Sequence, residues 1–142
     1  AHQNIQFVIG QVNDPTSKVG LYEAYVSRSI EPAAIYFLIG NIYGQQLSNL
    51  PMAIKNLDQA NTLKPNDADI IINLTTALSL NKEFTESIDI LENAVQYSPN
   101  NAQYYLNLGL NYFEIGEVDK AKTSFDTAVQ LNPSLNRSQF PV

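Results

Sequence analysis

The chain has 142 residues, 44% of them hydrophobic and only 15% charged, which is enough for one ordinary folded domain with a useful core. Fourteen acids against eight scattered bases give a net charge of −6, and this balance excludes the basic stripe that nucleic-acid binding needs. Cysteine is absent, histidine occurs once and no apolar run reaches bilayer length, so no thiolate, metal site, cofactor or direct membrane insertion is expected.

Taken in chain order, the first thirty residues read as a divergent helical hairpin, assigned to 1–32. Its first helix covers Asn4 to Val12. Asp14-Pro15 then starts a second, predicted over 15–29, because an acid at the N-cap and a proline at the first helical position both favour initiation. Ser17-x-x-x-Leu21-x-x-Ala24 copies a later string, Ser87-x-x-x-Leu91-x-x-Ala94. The hairpin is therefore expected to be a partial copy of the units C-terminal to it, either cut from a longer protein or serving as a cap.

From residue 33 the chain repeats with a period near 34. The first repeat, 33–65, carries Tyr36, Ile39, Gly40 and Tyr43, then Ala53, Leu57, Ala60 and Pro65, with one extra residue in its turn. The second, 68–99, carries Ile71, Leu74, Thr75 and Leu78, then Ser87, Leu91, Ala94 and Pro99. The third, 102–133, reads Tyr105, Leu108, Gly109 and Tyr112, then Ala121, Phe125, Ala128 and Pro133. Such a period means stacked supersecondary units rather than one central core.

Each repeat reads as two antiparallel helices, at about 33–46 and 50–63, 68–80 and 84–97, and 102–115 and 118–131. Pro65, Pro99 and Pro133 end the second helices, while Asn66-Asp67 and Asn100-Asn101 offer N-caps for the next repeat. Ser48-Asn49, Asn81-Lys82 and Gly116-Glu117 mark the turns within repeats. Small residues at Gly40, Gly109, Ala60, Ala94 and Ala128 allow close helix approach, with Leu57, Leu91 and Phe125 as the facing ridges. Thr75, standing where the others have glycine, is expected to push its helix pair slightly apart. Tyr36, Tyr43, Tyr105 and Tyr112 are expected in the core, whereas Tyr104 has no repeat role and is the candidate for exposure. Glu83, Glu86, Asp89 and Glu92 read as a solvated outer face.

The segment 134–142 is short and polar. The last helix pair is therefore expected to leave an apolar face uncovered around Val118, Phe125 and Val129, open to homo-oligomer formation or to packing within a larger protein.

These strings resemble the tetratricopeptide repeat signature: aromatic-x-x-Leu-Gly-x-x-Tyr, then Ala-x-x-x-Phe, then Ala and Pro. The resemblance implies an all-α, right-handed superhelix of helix pairs, non-catalytic, that binds an extended peptide in a concave groove lined by the first helices. Carried over by position, the groove residues are Phe37, Asn41, Asp69, Ile72, Asn73, Thr76, Gln103, Leu106, Asn107, Leu110 and Phe113. No Lys or Arg stands among them, which disfavours the family subtype that clamps a chaperone's C-terminal carboxylate and points to a largely uncharged peptide. Asn73 and Asn107 are equivalent residues 34 apart. They resemble two rungs of the asparagine ladder in the repeat domain of the enzyme that attaches N-acetylglucosamine to Ser and Thr. An amide offers both donor and acceptor to a peptide backbone of any sequence. The alternative is that asparagine is merely tolerated on a wet helix face.

Overall fold

A computed structural model describes the backbone of residues 2–142 and the side chains of residues 5–142. Among these the regular elements are helical: α1 (His2–Gly10), α2 (Pro15–Val26), α3 (Pro32–Gln45), α4 (Leu50–Leu63), α5 (Ala68–Leu80), α6 (Phe84–Tyr97), α7 (Ala102–Glu114), α8 (Val118–Leu131) and a short 3-10 helix, Arg137–Gln139. The chain divides into two compact units, Ala1–Ile70 and Ile71–Val142.

The helix starts reflect local chemistry. Asp14 accepts the Ser17 N–H at 2.7 Å, Asn49 that of Met52 at 3.1 Å and Asp67 that of Ile70 at 3.2 Å, each filling a helix-end donor that would otherwise go unmet. Asn101 does the same for Gln103 and Tyr104. α2 stops at Val26, short of the predicted 29, and α3 begins one residue early at Pro32. The reason lies between them: proline disfavours helical geometry in the residue before it, and Glu31 leaves the helical region with φ −126°.

The turns within repeats share one device. Ser48, Lys82 and Gly116 adopt left-handed backbone, with φ of 51°, 63° and 82°. After two of them the next N–H returns to a carbonyl five residues back, Glu83 to Leu78 and Glu117 to Tyr112. The extra residue near Ser48 widens that closure: Leu47 bonds back to Ile42 and Asn49 to Tyr43.

In the first unit α3 packs on α2 and α4, and α1 on α2. Its core gathers Ile9, Val19, Tyr22, Tyr25, Ile35, Ile39 and Ile42. A Cβ on Gly40 would stand 2.7 Å from Leu57 Cγ, so glycine permits the close α3–α4 crossing there. In the second unit α7 lies against both α6 and α8, over a core of Ile71, Ile88, Leu91, Ala94, Tyr104, Leu108, Tyr112, Ala121 and Phe125. Gly109 repeats the crossing: a Cβ would meet Phe125 Cε1 at 2.5 Å.

Two expectations about exposure are corrected. Tyr104 is 1% exposed, while Tyr36, Tyr43 and Tyr105 are half-buried and only Tyr112 of the expected four is fully buried. A helix held between two neighbours buries two stripes, and Tyr104 fills the second, at the repeat position that buried Ile35 and Ile70 occupy in their own helices. Phe125 is 0% exposed instead of open to solvent. The Phe140 ring stacks on it at 4.9 Å between centroids, and Phe140 and Val142 pack against the core. Val129 is half-buried and Val118 remains exposed.

Candidate functional site

The residues predicted to line a groove fall into both units. In the first, Phe37 and Asp69 line a cavity of about 440 Å³ with Ile30, Ala34, Leu63 and Lys64 among its other walls. Asn41 is half-buried on α3. The acids Glu31, Asp67 and Asp69 rim this cavity, and Lys64 is held by Asp67 at 3.0 Å. Burial alone would raise the Asp67 pKa, but the Ile70 N–H and the Lys64 ammonium outweigh it and the net shift is downward.

In the second unit, Thr76, Gln103, Asn107 and Leu110 converge on one cavity of about 440 Å³ between α5 and α7. Ser79, Leu80, Phe84, Asn111 and Glu114 complete its lining. Leu80 and Leu110 are 66% and 45% exposed, an apolar surface offered to solvent. Glu114 is the one ionisable residue among the lining side chains. The remaining predicted residues lie elsewhere: Ile72 and Leu106 pack against the core, Asn73 is half-buried, and Phe113 is exposed on α7 outside the cavity lining. Leu80, Phe84 and Asn111 were not foreseen. Leu80 and Phe84 flank a turn, where a repeat signature assigns no groove role. Asn111 had a local sign, four residues after Asn107 and so on the same helix face.

A buried polar network backs this cavity. Asn111 Nδ2 donates to the Asn107 carbonyl at 2.7 Å, which directs its Oδ1 toward Ser79 Oγ at 2.8 Å. The single Ser79 hydroxyl proton has two acceptors within reach, Asn111 Oδ1 and the Thr75 carbonyl at 2.7 Å, and Ser87 Oγ donates to that same carbonyl at 3.1 Å. Thr75, buried where two other repeats have glycine, turns its hydroxyl onto the Ile71 carbonyl at 2.8 Å. Toward the cavity mouth, Gln103 Nε2 donates to Asn107 Oδ1 at 2.8 Å. The network joins α5, α6 and α7 through hydrogen bonds that each have a side chain at one end or both. It therefore fixes the spacing of the two cavity walls.

A second tie recurs in both units. The Tyr43 hydroxyl reaches Glu23 Oε1 at 3.5 Å, and that of Tyr112 donates to Glu92. Each links a helix to the one before it across twenty residues of sequence. Glu92 lies on the exposed acidic face that the sequence predicted, and with Glu83, which accepts from Asn81 at 2.7 Å, two of those four acids have side-chain partners. Burial and then the carboxylate raise both tyrosine pKa values.

Paired helices, left-handed turns 34 residues apart and glycine-for-ridge crossings form one recurring pattern. Two profiles of the tetratricopeptide repeat match it, over residues 33–67 and 102–135. The chain belongs to the tetratricopeptide repeat family. A peroxisomal targeting signal receptor of Kluyveromyces lactis is 28% identical over 86 residues, which is 61% of this chain but only 15% of the receptor's length. Among solved structures, the segment from residue 41 onward of MamA from Desulfovibrio magneticus RS-1 is 20% identical with a TM-score of 0.79, covering 94% of this chain and 75% of that one. YrrB, a tetratricopeptide repeat protein with an unusual peptide-binding site, is 18% identical with a TM-score of 0.77, covering 88% of this chain and 64% of that one. These likenesses show a shared all-helical repeat fold. Members of such repeat families are built to present extended binding surfaces. Among the described residues no three His, Cys, Asp or Glu side chains are placed to hold a metal ion, and no helix is long and apolar enough to cross a membrane.

Proposed function

We propose that this chain is a non-catalytic interaction scaffold whose second unit holds an extended, largely uncharged peptide against α5 and α7. The observation that carries the reading is the α5–α7 cavity, where Thr76, Gln103, Asn107 and exposed Leu110, taken from the repeat register, meet exposed Leu80 and a single carboxylate. Apolar peptide side chains lose water against Leu80, Phe84 and Leu110. Thr76, Gln103 and the Asn107 amide then supply hydrogen bonds to the peptide backbone, and Asn73, outside the lining but three residues before Thr76 on α5, is the second amide rung. Gln103 already engages Asn107 Oδ1, so on this reading Asn107 acts mainly through its amide N–H or by exchanging that partner. The unusual peptide-binding site of YrrB supports the reading by analogy of fold.

Panning a random-peptide display library on the folded chain supplies a ligand to titrate. Asn73→Ala/Asn107→Ala is expected to weaken the recovered peptides about tenfold, the value of one to two backbone hydrogen bonds at roughly 1 kcal/mol each. Unchanged affinity across all recovered clones would remove the asparagine anchor.

A further inference from the structure

The segment after α8 touches the rest of the chain in an unusual way. Its backbone hydrogen bonds are local: Leu135 to Asn132, Gln139 to Asn136 and Phe140 to Arg137. Asn132 and Asn136 hold Ser134 and Ser138 through side chains, also locally. What joins it to α8 is a set of side chains. Arg137 Nε donates to Asp126 Oδ1 at 2.7 Å, and its guanidinium lies 5.6 Å from the Phe125 ring centroid. Phe140 stacks on Phe125 with an interplanar angle of 11°, and Val142 joins the same cluster. This is how a short bound peptide is held, with an aromatic anchor, a charge clamp at the rim and no ladder to its host.

We propose that the face of α8 around Phe125 is a binding site for a protein segment carrying arginine three residues before phenylalanine, and that residues 137–142 fill it in cis. The seated segment itself specifies the ligand chemistry. Phe125 offers a flat ring for an aromatic side chain, and Asp126 sets the reach of a guanidinium on the preceding turn. An exposed ion pair, a cation over one ring, a ring stack and one half-buried valine are few fastenings, so the segment opens locally more readily than the helices beneath it. A partner of matching chemistry competes only against the tether, whose effective concentration is on the order of millimolar.

The test uses the full chain carrying Arg137→Ala/Phe140→Ala, with Phe140→Leu as a milder variant, and a fluorescein-labelled synthetic peptide of residues 134–142. Fluorescence anisotropy is expected to show the peptide binding the double variant at least about tenfold tighter than wild type, whose site is already occupied. A peptide with alanine in place of its arginine and phenylalanine is expected to lose about tenfold. The proposal is overturned if the variant, folded by circular dichroism, fails to bind, if wild type and variant bind equally, or if the altered peptide binds as well. It is also overturned if both variants unfold, since the segment is then part of the fold rather than an exchangeable occupant.

Discussion

Lys82 shows how a single residue departs from what its turn requires. It holds φ at 63°, the region where a side chain costs about 1–2 kcal/mol and glycine costs nothing. Lys82→Gly is therefore expected to raise stability by about 0.5–1 kcal/mol in denaturant titration, after the greater freedom of glycine in the unfolded chain is discounted. Gly116→Ala, with φ at 82°, is expected to lower it by about 1 kcal/mol. Buried polar residues behave differently. Ser79→Ala strips the donor from Asn111, which is 1% exposed, and is expected to destabilise the chain by about 1–3 kcal/mol. Thr76→Ala, at an exposed neighbour, is expected to stay within about 0.5 kcal/mol of wild type.

Between elements, the tie from α7 back to α6 carries a pH dependence. The Tyr112 hydroxyl titrates above its ordinary value because of burial and the adjacent Glu92 carboxylate, so folding favours the protonated form. That contribution is fully present below the unfolded tyrosine pKa of about 10 and is lost as pH rises through the higher folded value. Chemical denaturation between about pH 9 and about pH 11.5 is expected to show falling stability in wild type and a flatter curve for Tyr112→Phe. A parallel decline in both would assign the alkaline loss to other groups. The helices themselves were readable from the sequence because their signals are local. Proline stops, asparagine and aspartate caps and small-for-large crossings each act within one turn or one hairpin. Tyr104 was not readable in the same way: a repeat signature marks one stripe of a helix, and its burial comes from the second neighbour of α7.

At the scale of the whole molecule, the missed features share a cause. Phe140 covers Phe125 across fifteen residues of sequence that end in polar, irregular chain, and no periodic signal announces such a contact. The α5–α7 cavity was half foreseen, since register placed Thr76, Gln103, Asn107 and Leu110 on facing helices, but the walls at Leu80 and Phe84 depend on how a turn folds back. With one ionisable residue in that lining, peptide affinity is expected to change by less than about twofold between about 50 and about 500 mM salt, although the chain as a whole carries −6. The most direct measurement is amide chemical-shift mapping of the folded chain with a display-selected peptide. Shifts clustered at Thr76, Leu80, Gln103, Asn107 and Leu110 are the result expected of a peptide seated between α5 and α7. Shifts confined to the exposed faces of α6 and α8, with those five residues silent, would contradict it.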